Sequence, residues 1–425
     1  MEKKNPTAFP FGTPDPLLLS AYSSLHDELK VAGSATGEIR HSTRPSIAVL
    51  PFENMSGDAE QSYFSDGITE DIITELQRFR SLFVMARHSS FSFRGQQLEV
   101  VDIGKKLGVN YVVEGSVRRF RDRIRISAQL IEVATGTHTW AERYDRAIDD
   151  IFAVQDEIAR VVASTLSGRV SHDVAERAAR KHPDSFAAYD YLLKGMQHHQ
   201  RLTPEDNTRA RELLGVALQV DPQYGEAYAW LAMTYMSEIP LTAEKLANAV
   251  HFAEKAVLCD EGNALCHISA GFSYLCQKRV EKSEFHHNLA LKLNPNDPHV
   301  LTHMGYFLAC TGRAQESLKW FDSALQLNPF PPAWYDEMRG VAVFVQERYD
   351  EAVLLLRDHT TWCAVYLASA YGHLGQIHEA AKYLEIVHSL TAGASLAEVA
   401  RMEPLVRSED MTRLLEGLRK AGGNV

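Results

Sequence analysis

Residues 264–297, ALCHISAGFSYLCQKRVEKSEFHHNLALKLNPND, and residues 298–331, PHVLTHMGYFLACTGRAQESLKWFDSALQLNPFP, are two consecutive stretches of 34 residues with one pattern. In the second, Leu301, Met304, Gly305, Leu308, Ser317, Phe321, Ala324 and Pro329 stand at offsets 4, 7, 8, 11, 20, 24, 27 and 32. The first puts His267, Ala270, Gly271, Tyr274, Ser283, His287, Ala290 and Pro295 at the same offsets. A fixed period of this length means a stacked unit of two helices that cannot bury its apolar face alone. Small residues (Gly271, Gly305, Ala290, Ala324) let the two helices approach, and Pro295 and Pro329 close the second helix before the next unit begins.

The pattern extends both ways. Upstream, Tyr228, Leu231, Ala232 and Tyr235 lead to Ala249, Ala253 and Ala256, with five residues inserted between the helices, and Tyr191 and Gly195 lead to Ala210, Leu214, Ala217 and Pro222. Downstream, Trp334 and Tyr335 pair with Ala352 and Leu356, and Leu367, Ala368, Tyr371, Gly375, Ala380 and Leu384 form a last unit. Six helix pairs over 184–390, followed by capping helices within 391–425, are expected. These residues resemble tetratricopeptide (TPR) repeats. The resemblance implies an all-α superhelix, an α-solenoid, whose concave groove binds a peptide or protein partner. The groove residues singled out on that basis are Asn288, His303, Tyr306 and Arg339.

Ahead of the repeats the period is that of strands. Ser46-Ile47-Ala48-Val49-Leu50-Pro51-Phe52 reads as a buried strand closed by proline, and the turn-rich Asn54–Asp58 follows. Ser65 or Asp66 is placed to cap a helix carrying Ile68, Ile72 and Leu76. Leu82–Ala86 is a second strand, Val101–Leu107 a helix ended by Gly108, and Tyr111-Val112-Val113 opens a third strand. From Gly115 to Val133, Val117, Phe120, Ile124, Ile126, Ala128 and Leu130 alternate with Arg118, Arg123, Arg125, Ser127 and Gln129, as in a hairpin turning at Arg121-Asp122 with one wet face. An edge strand at 137–144 and a helix at 151–166 complete a small α/β domain with a mixed sheet over 45–170. Residues 1–44 read as a flexible lead with a short amphipathic helix at 17–31, and 171–183 as a polar helical linker.

Residues 45–166 resemble the domain, similar to the amino-terminal domain of TolB, that precedes TPR repeats in many rhizobial and related bacterial proteins. The matching stretches are Ser46–Phe52, Asn54–Asp58, Tyr63-Phe64-Ser65-Asp66-Gly67, Glu70–Ile73, Tyr111–Arg118 and Trp140–Asp145. In that group the two modules often follow a class III adenylate cyclase domain, and in others a winged-helix DNA-binding domain. Only 44 residues precede the α/β domain here, so neither effector is expected in this chain, and the resemblance implies signalling without cyclase activity. A role beside such a cyclase or transcription factor is the implied setting.

Of 425 residues, 45% are hydrophobic and 23% charged, which excludes wholesale disorder. The net charge of −11 is shared as 22 Lys/Arg against 25 Asp/Glu in residues 1–180 and 22 against 30 thereafter. Neither half resembles a nucleic-acid or anionic-membrane binder. With no apolar run of membrane-spanning length and no signal-peptide core, a cytoplasmic protein is the expectation. Cys259, Cys266, Cys276, Cys310 and Cys363 show neither CxxC nor zinc spacing and read as reduced packing residues.

Three features bear on chemical sites. The loop Asn54–Asp58 and the helix start behind it offer N–H groups to a small anion or nucleotide, with Asn54, Ser56, Gly57 and Ser65 as contacts, although Asp58, Glu60 and Asp66 oppose an anion. Arg118, Arg121, Arg123 and Arg125 form the one basic cluster, set against a solvated hairpin face as the plainer reading. The adjacent pairs His198-His199 and His286-His287 cannot chelate as an i, i+4 pair does and read as repeat-surface residues. No metal site, cofactor or catalytic motif is expected. The function expected is recognition of a protein or peptide partner through the groove, with the α/β domain sensing or docking; the alternative is a nucleotide or small-ligand binder using the 54–66 loop. Oligomeric state is left open.

Overall fold

The computed structural model describes residues 44–167, 185–201, 203–357, 362–391 and 394–424. The expected helix at 17–31 and the linker at 171–183 lie outside the described residues.

The sheet is built around β1 (Ser46–Val49), buried at every position and parallel to both β3 (Phe83–Val84) and β4 (Tyr111–Phe120). Strands buried on both faces have no polar side to show, which is why Ser46–Val49 is almost wholly apolar. β4 runs antiparallel to β5 (Arg123–Glu132), and β5 to β6 (His138–Ala147), giving the order β3-β1-β4-β5-β6; the short β2 (Glu53–Asn54) continues alongside β4. Arg121, at φ 55°, turns the β4–β5 hairpin. Helices α1 (Ser62–Gln77) and α4 (Ile151–Ser167) pack against each other, α2 (Arg87–Phe91) is short, and α3 (Val100–Leu107) stops where Gly108 takes the left-handed conformation.

Two local readings change. The first helix starts one turn earlier than expected, at Ser62, so Ser65 is no cap: it lies inside α1, buried, and its hydroxyl donates to the Ser62 carbonyl at 3.0 Å. Phe120 was grouped with the inward residues but is 67% exposed. Strand parity explains this, since side chains two apart share a face and Val117 is inward; Arg119, not Phe120, follows it inward.

The array follows as α5 (Phe186–His199) and α6 (Pro204–Val220), α7 (Gly225–Met236) and α8 (Ala243–Cys259), α9 (Ala264–Cys276) and α10 (Val280–Leu293), α11 (Pro298–Cys310) and α12 (Ala314–Leu327), α13 (Trp334–Phe344) and α14 (Tyr349–Leu356), and α15 (Ala364–His373) and α16 (Ile377–Leu390). In four of the six pairs the close approach has one recurring geometry. A β-carbon on Gly305 would stand 3.0 Å from the Phe321 ring and one on Gly271 2.7 Å from the His287 ring; Gly195 faces Leu214, and Gly340 faces Leu356, in the same way. The residue at offset 24 thus occupies the space a side chain at offset 8 would take. First helices of successive pairs lie side by side, α7 on α9, α9 on α11 and α11 on α13. Behind α16, α17 (Leu396–Met402) opens on a Ser395–Glu398 capping box, and α18 (Ser408–Lys420) packs on α15, where Gly372 meets the Gly417 backbone.

The sheet domain and the array share one core. Phe64, Ile68 and Ile72 of α1 and Ile158 of α4 are contiguous with Ala188, Tyr189 and Leu192 of α5 and Tyr224, Ala227 and Leu231 at α7. Tyr189 donates its hydroxyl to Asp71 at 2.5 Å, and Gln155 donates to the same carboxylate at 2.9 Å. Further along, the Ala86 N–H donates to the Leu327 carbonyl at 2.8 Å, Ser89 donates to Asn328 at 2.7 Å and accepts from the Phe330 N–H at 3.0 Å, and Asn296 donates to the carbonyls of Gln77 and Phe79. The domain therefore lies along the turns that join one helix pair to the next, as far as the fourth pair.

Candidate binding surfaces

The 54–66 loop satisfies itself. Asn54 donates through Nδ2 to the Asp58 carbonyl at 2.7 Å and accepts from the Ser56 N–H at 3.0 Å, and the Asp58 carboxylate accepts from the Glu60 N–H at 3.0 Å. The Ser56 hydroxyl accepts from the Arg119 N–H at 3.0 Å. Gly57 is needed for its φ of 80°, a turn requirement. Ser65, buried in α1, is not presented on the loop surface with Asn54, Ser56 and Gly57, and the Asn54 and Ser56 side chains are already engaged within the domain.

The basic hairpin is largely neutralised in place. Asp145 on β6 sits opposite Arg125 in the strand register and accepts from both Arg123 and Arg125 at 2.6 Å. The two guanidiniums hold its carboxyl down to about 2. Arg118 donates to the Met55 carbonyl at 3.0 Å, and Arg121 lies over the Phe120 ring at 5.3 Å. Arg119 turns the other way, pairing with Asp190 of α5 at 3.4 Å and covering the Phe186 ring at 4.7 Å. What the tip presents is Phe120 and Met55, 67% and 47% exposed, flanked by Arg118 and Arg121.

The expected groove is occupied. An array helix facing an open groove keeps an exposed stripe, yet in α11 every residue from Val300 to Cys310 is buried. The same holds for Cys266–Leu275 of α9 and Ala364–Gly372 of α15. His303 and Tyr306, expected on the groove surface, are 4% and 0% exposed. His303 is packed by Phe272 and Trp334, and Tyr306 by Phe272 and Trp362. Asn288 sits on α10, the second helix of its pair, and Arg339 is half-buried on α13, so the four do not form one surface. The cover comes from the chain itself: the Val406 N–H donates to the Cys310 carbonyl at 3.0 Å, the Arg407 side chain lies against Gly312, and Arg413 reaches the Val345 carbonyl at 3.3 Å and Glu347 at 2.7 Å.

Of the two adjacent pairs expected on the repeat surface, His199 and His287 are buried and His198 and His286 half-buried. His287 fills the space beside Gly271, His199 bonds Asn207 at 2.8 Å, and His267 and His286 stack with ring centroids 5.2 Å apart. Burial lowers His286 to about 3 and His287 to about 4. Among the described residues no group of three or more His, Cys, Asp or Glu is arranged to hold a metal ion, the five cysteines are free thiols, and no helix is long and apolar enough to cross a membrane. Ser89, whose partner no local pattern reveals, donates to Asn328, which follows a helix end 239 residues away.

Comparison with known proteins gives matches at both levels. Residues 42–161 match the family described as HilA/YgeH-like transcriptional regulator, second domain. A protein of Rhizobium meliloti named "Putative adenylate cyclase 3" is 40% identical over 246 residues, covering 57% of this chain and 42% of the relative. This chain thus spans less than half the length of that relative. The resemblance to cyclase-type proteins of rhizobia drawn from the sequence is borne out by this match. Among solved structures, TolB of Acinetobacter baumannii aligns at 19% identity with a TM-score of 0.23, covering 29% of each chain. A thermophilic TPR protein of Thermus thermophilus aligns at 17% identity with a TM-score of 0.35, covering 47% of this chain and 99% of its own.

Proposed function

We propose that this protein is a non-catalytic interaction scaffold whose partner docks on the tip of the α/β domain, not inside the helical array. The observation that carries this reading is the contrast between α11, enclosed on all sides, and the hairpin tip, where an aromatic ring and a methionine stand out beside two arginines. Apolar side chains ringed by guanidiniums suit a partner surface that is apolar and acidic, since aromatic and Arg residues supply most of the binding energy at protein interfaces. The array then serves as a rigid support that fixes the tip's position through the shared core.

The relative's name and the regulator family's description support a place in bacterial signalling, with a cyclase or a transcriptional regulator as the effector served. Phe120 and Leu354, the latter 58% exposed on the outer helix α14, give the test. A benzophenone amino acid is placed at either position of the full chain and irradiated in cells. The expected result is one discrete adduct from position 120, lost on Arg121→Glu, and none from position 354. Equal labelling from both, unaffected by Arg121→Glu, overturns the reading.

A further inference from the structure

The return of the chain over the array leaves a cavity of about 80 Å³. It lies between the turn Met236–Leu241 of the second pair, Phe272 and Cys276 of α9, Trp362 ahead of α15, Leu390 at the end of α16, and Met402, Glu403 and Pro404 behind α17. Among the described residues, its wall is apolar and aromatic with two carboxylates and no lysine, arginine or histidine. The carboxylates differ. Glu238 is already matched by Lys245 at 3.0 Å and by Arg211. Glu403 has no ion-pair partner at salt-bridge distance among the described residues, and Lys278 acts on it only from further off.

Two independent features show that Glu403 is held at a cost. Burial pushes its carboxyl up to about 7, against partial relief from Tyr366 and Lys278. Behind it, Tyr306 and Tyr366 are fully buried and stand in the field of its charge; the Tyr366 hydroxyl turns to Glu403 itself, and the Tyr306 hydroxyl has no hydrogen-bond partner among the described residues. Buried polar groups are normally paired, and exceptions mark sites where something else completes the set. An ammonium group beside Glu403, with its stem against Phe272 and Trp362, supplies a charge partner; the aromatic faces themselves favour a cation.

We propose that this cavity binds a compact organic cation on an apolar stem, an alkylammonium group, with Glu403 as its counter-charge and Trp362 and Phe272 as its walls. The group is either a free amine or the side chain of a lysine.

Full-length protein is titrated calorimetrically with n-butylammonium, with n-butanol as the uncharged control, and with Nα-acetyl-lysine methylamide. The ammonium is expected to bind and butanol to bind at least about tenfold more weakly, the scale of one lost charge-assisted hydrogen bond. Binding of the lysine amide as well assigns a lysine side chain as the source; binding of butylammonium alone assigns a free amine. Glu403→Gln is expected to remove the preference for the ammonium over butanol. Should that variant fail to fold, the wild type carries the test: the ammonium stays charged while Glu403 gains its charge, so affinity rises about tenfold from about pH 5.5 to about pH 8. Equal binding of amine and alcohol at pH 8, absence of any amine binding, or an affinity indifferent to pH overturns the proposal.

Discussion

The first helices of the array are covered twice by chain from outside it, and the two covers differ in how they treat polar groups. Along the sheet domain, the carboxylate and hydroxyls that cross are matched, Tyr189 and Gln155 on Asp71, Ser89 on Asn328, Asn296 on two carbonyls, around a core that runs unbroken from α1 to α7; the polar atoms left over there, Gln155 Oε1, Asn328 Nδ2 and His88 Nδ1, carry no charge. Under the carboxyl-terminal return, the half-buried Glu403, reached by Tyr366, has no ion-pair partner and the buried Tyr306 hydroxyl has no hydrogen-bond partner among the described residues, beside a cavity. A joint with a continuous core and its carboxylate matched behaves as permanent structure. A joint that buries unmatched groups beside open space is stabilised further by a ligand that matches them.

The largest effect expected from this difference is at the sheet joint. Phe64 is 1% exposed and meets Phe186 and Tyr189 edge-on, at centroid distances of 5.5 and 6.5 Å. Phe64→Ala should cost about 3–5 kcal/mol, the range for truncating a buried aromatic. In urea, amide exchange in β4 and in α7 should accelerate together; acceleration confined to β4 breaks the claim of one core.

The two joints should also respond oppositely to pH. His88 of α2 and His299 of α11 face each other with ring centroids 6.0 Å apart and Arg87 beside them. Burial, aided by the neighbouring positive charge of Arg87, lowers them to about 3 and about 4. An unfolded imidazole takes its proton near 6.5, so below that pH the unfolded chain binds more protons and stability falls, by about 1.4 kcal/mol per pH unit for each group until its folded value is reached. Glu403 has the opposite sign. Folded, it keeps its proton up to about 7, whereas unfolded it loses it near 4.5, so its contribution declines as pH rises between those values. Denaturation midpoints across pH should therefore fall less steeply on the acid side in His299→Gln and less steeply on the neutral side in Glu403→Gln. Parallel profiles for the two variants remove the distinction between the joints.

Smaller effects separate the array from the sheet surface. Gly305→Ala pushes a methyl group to 3.0 Å from the Phe321 ring, and overpacking of this kind should cost about 1–3 kcal/mol in thermal denaturation. A neutral result there means that the pair yields more than the recurrence of Gly195, Gly271, Gly305 and Gly340 implies. Asp145→Asn, at the exposed hairpin, should leave the melting midpoint where it is, because surface ion pairs add little in water.

Much of this architecture was legible. The 34-residue period located the helix pairs because offsets 8 and 24 are one contact seen from its two sides, as Gly271–His287, Gly305–Phe321 and Gly340–Leu356 show. The strands of the sheet were legible through alternation, failing at Phe120, where the parity was miscounted by one. The surfaces were not legible. His303 and Tyr306 occupy positions that a free-standing array exposes; neighbouring repeat residues Phe272 and Trp334 pack His303, while Tyr306 lies near Glu403, in a segment about a hundred residues later whose return no local pattern encodes. Ser89 and Asn328, similarly, are unremarkable polar residues until the fold sets them 2.7 Å apart. Local periodicity reports which face of an element is apolar, and is silent on which distant segment covers it.

The central claim, that the inner face of the array is filled by the chain's own carboxyl-terminal return, is tested most directly by amide hydrogen exchange of the full-length protein over 298–310. The account predicts that this inner helix exchanges at least as slowly as its outer partner over 314–327, with protection lost when Val406 and Arg407 are both replaced by glycine. Fast exchange over 298–310 in the unaltered protein, with 314–327 protected, would show an open groove and contradict it.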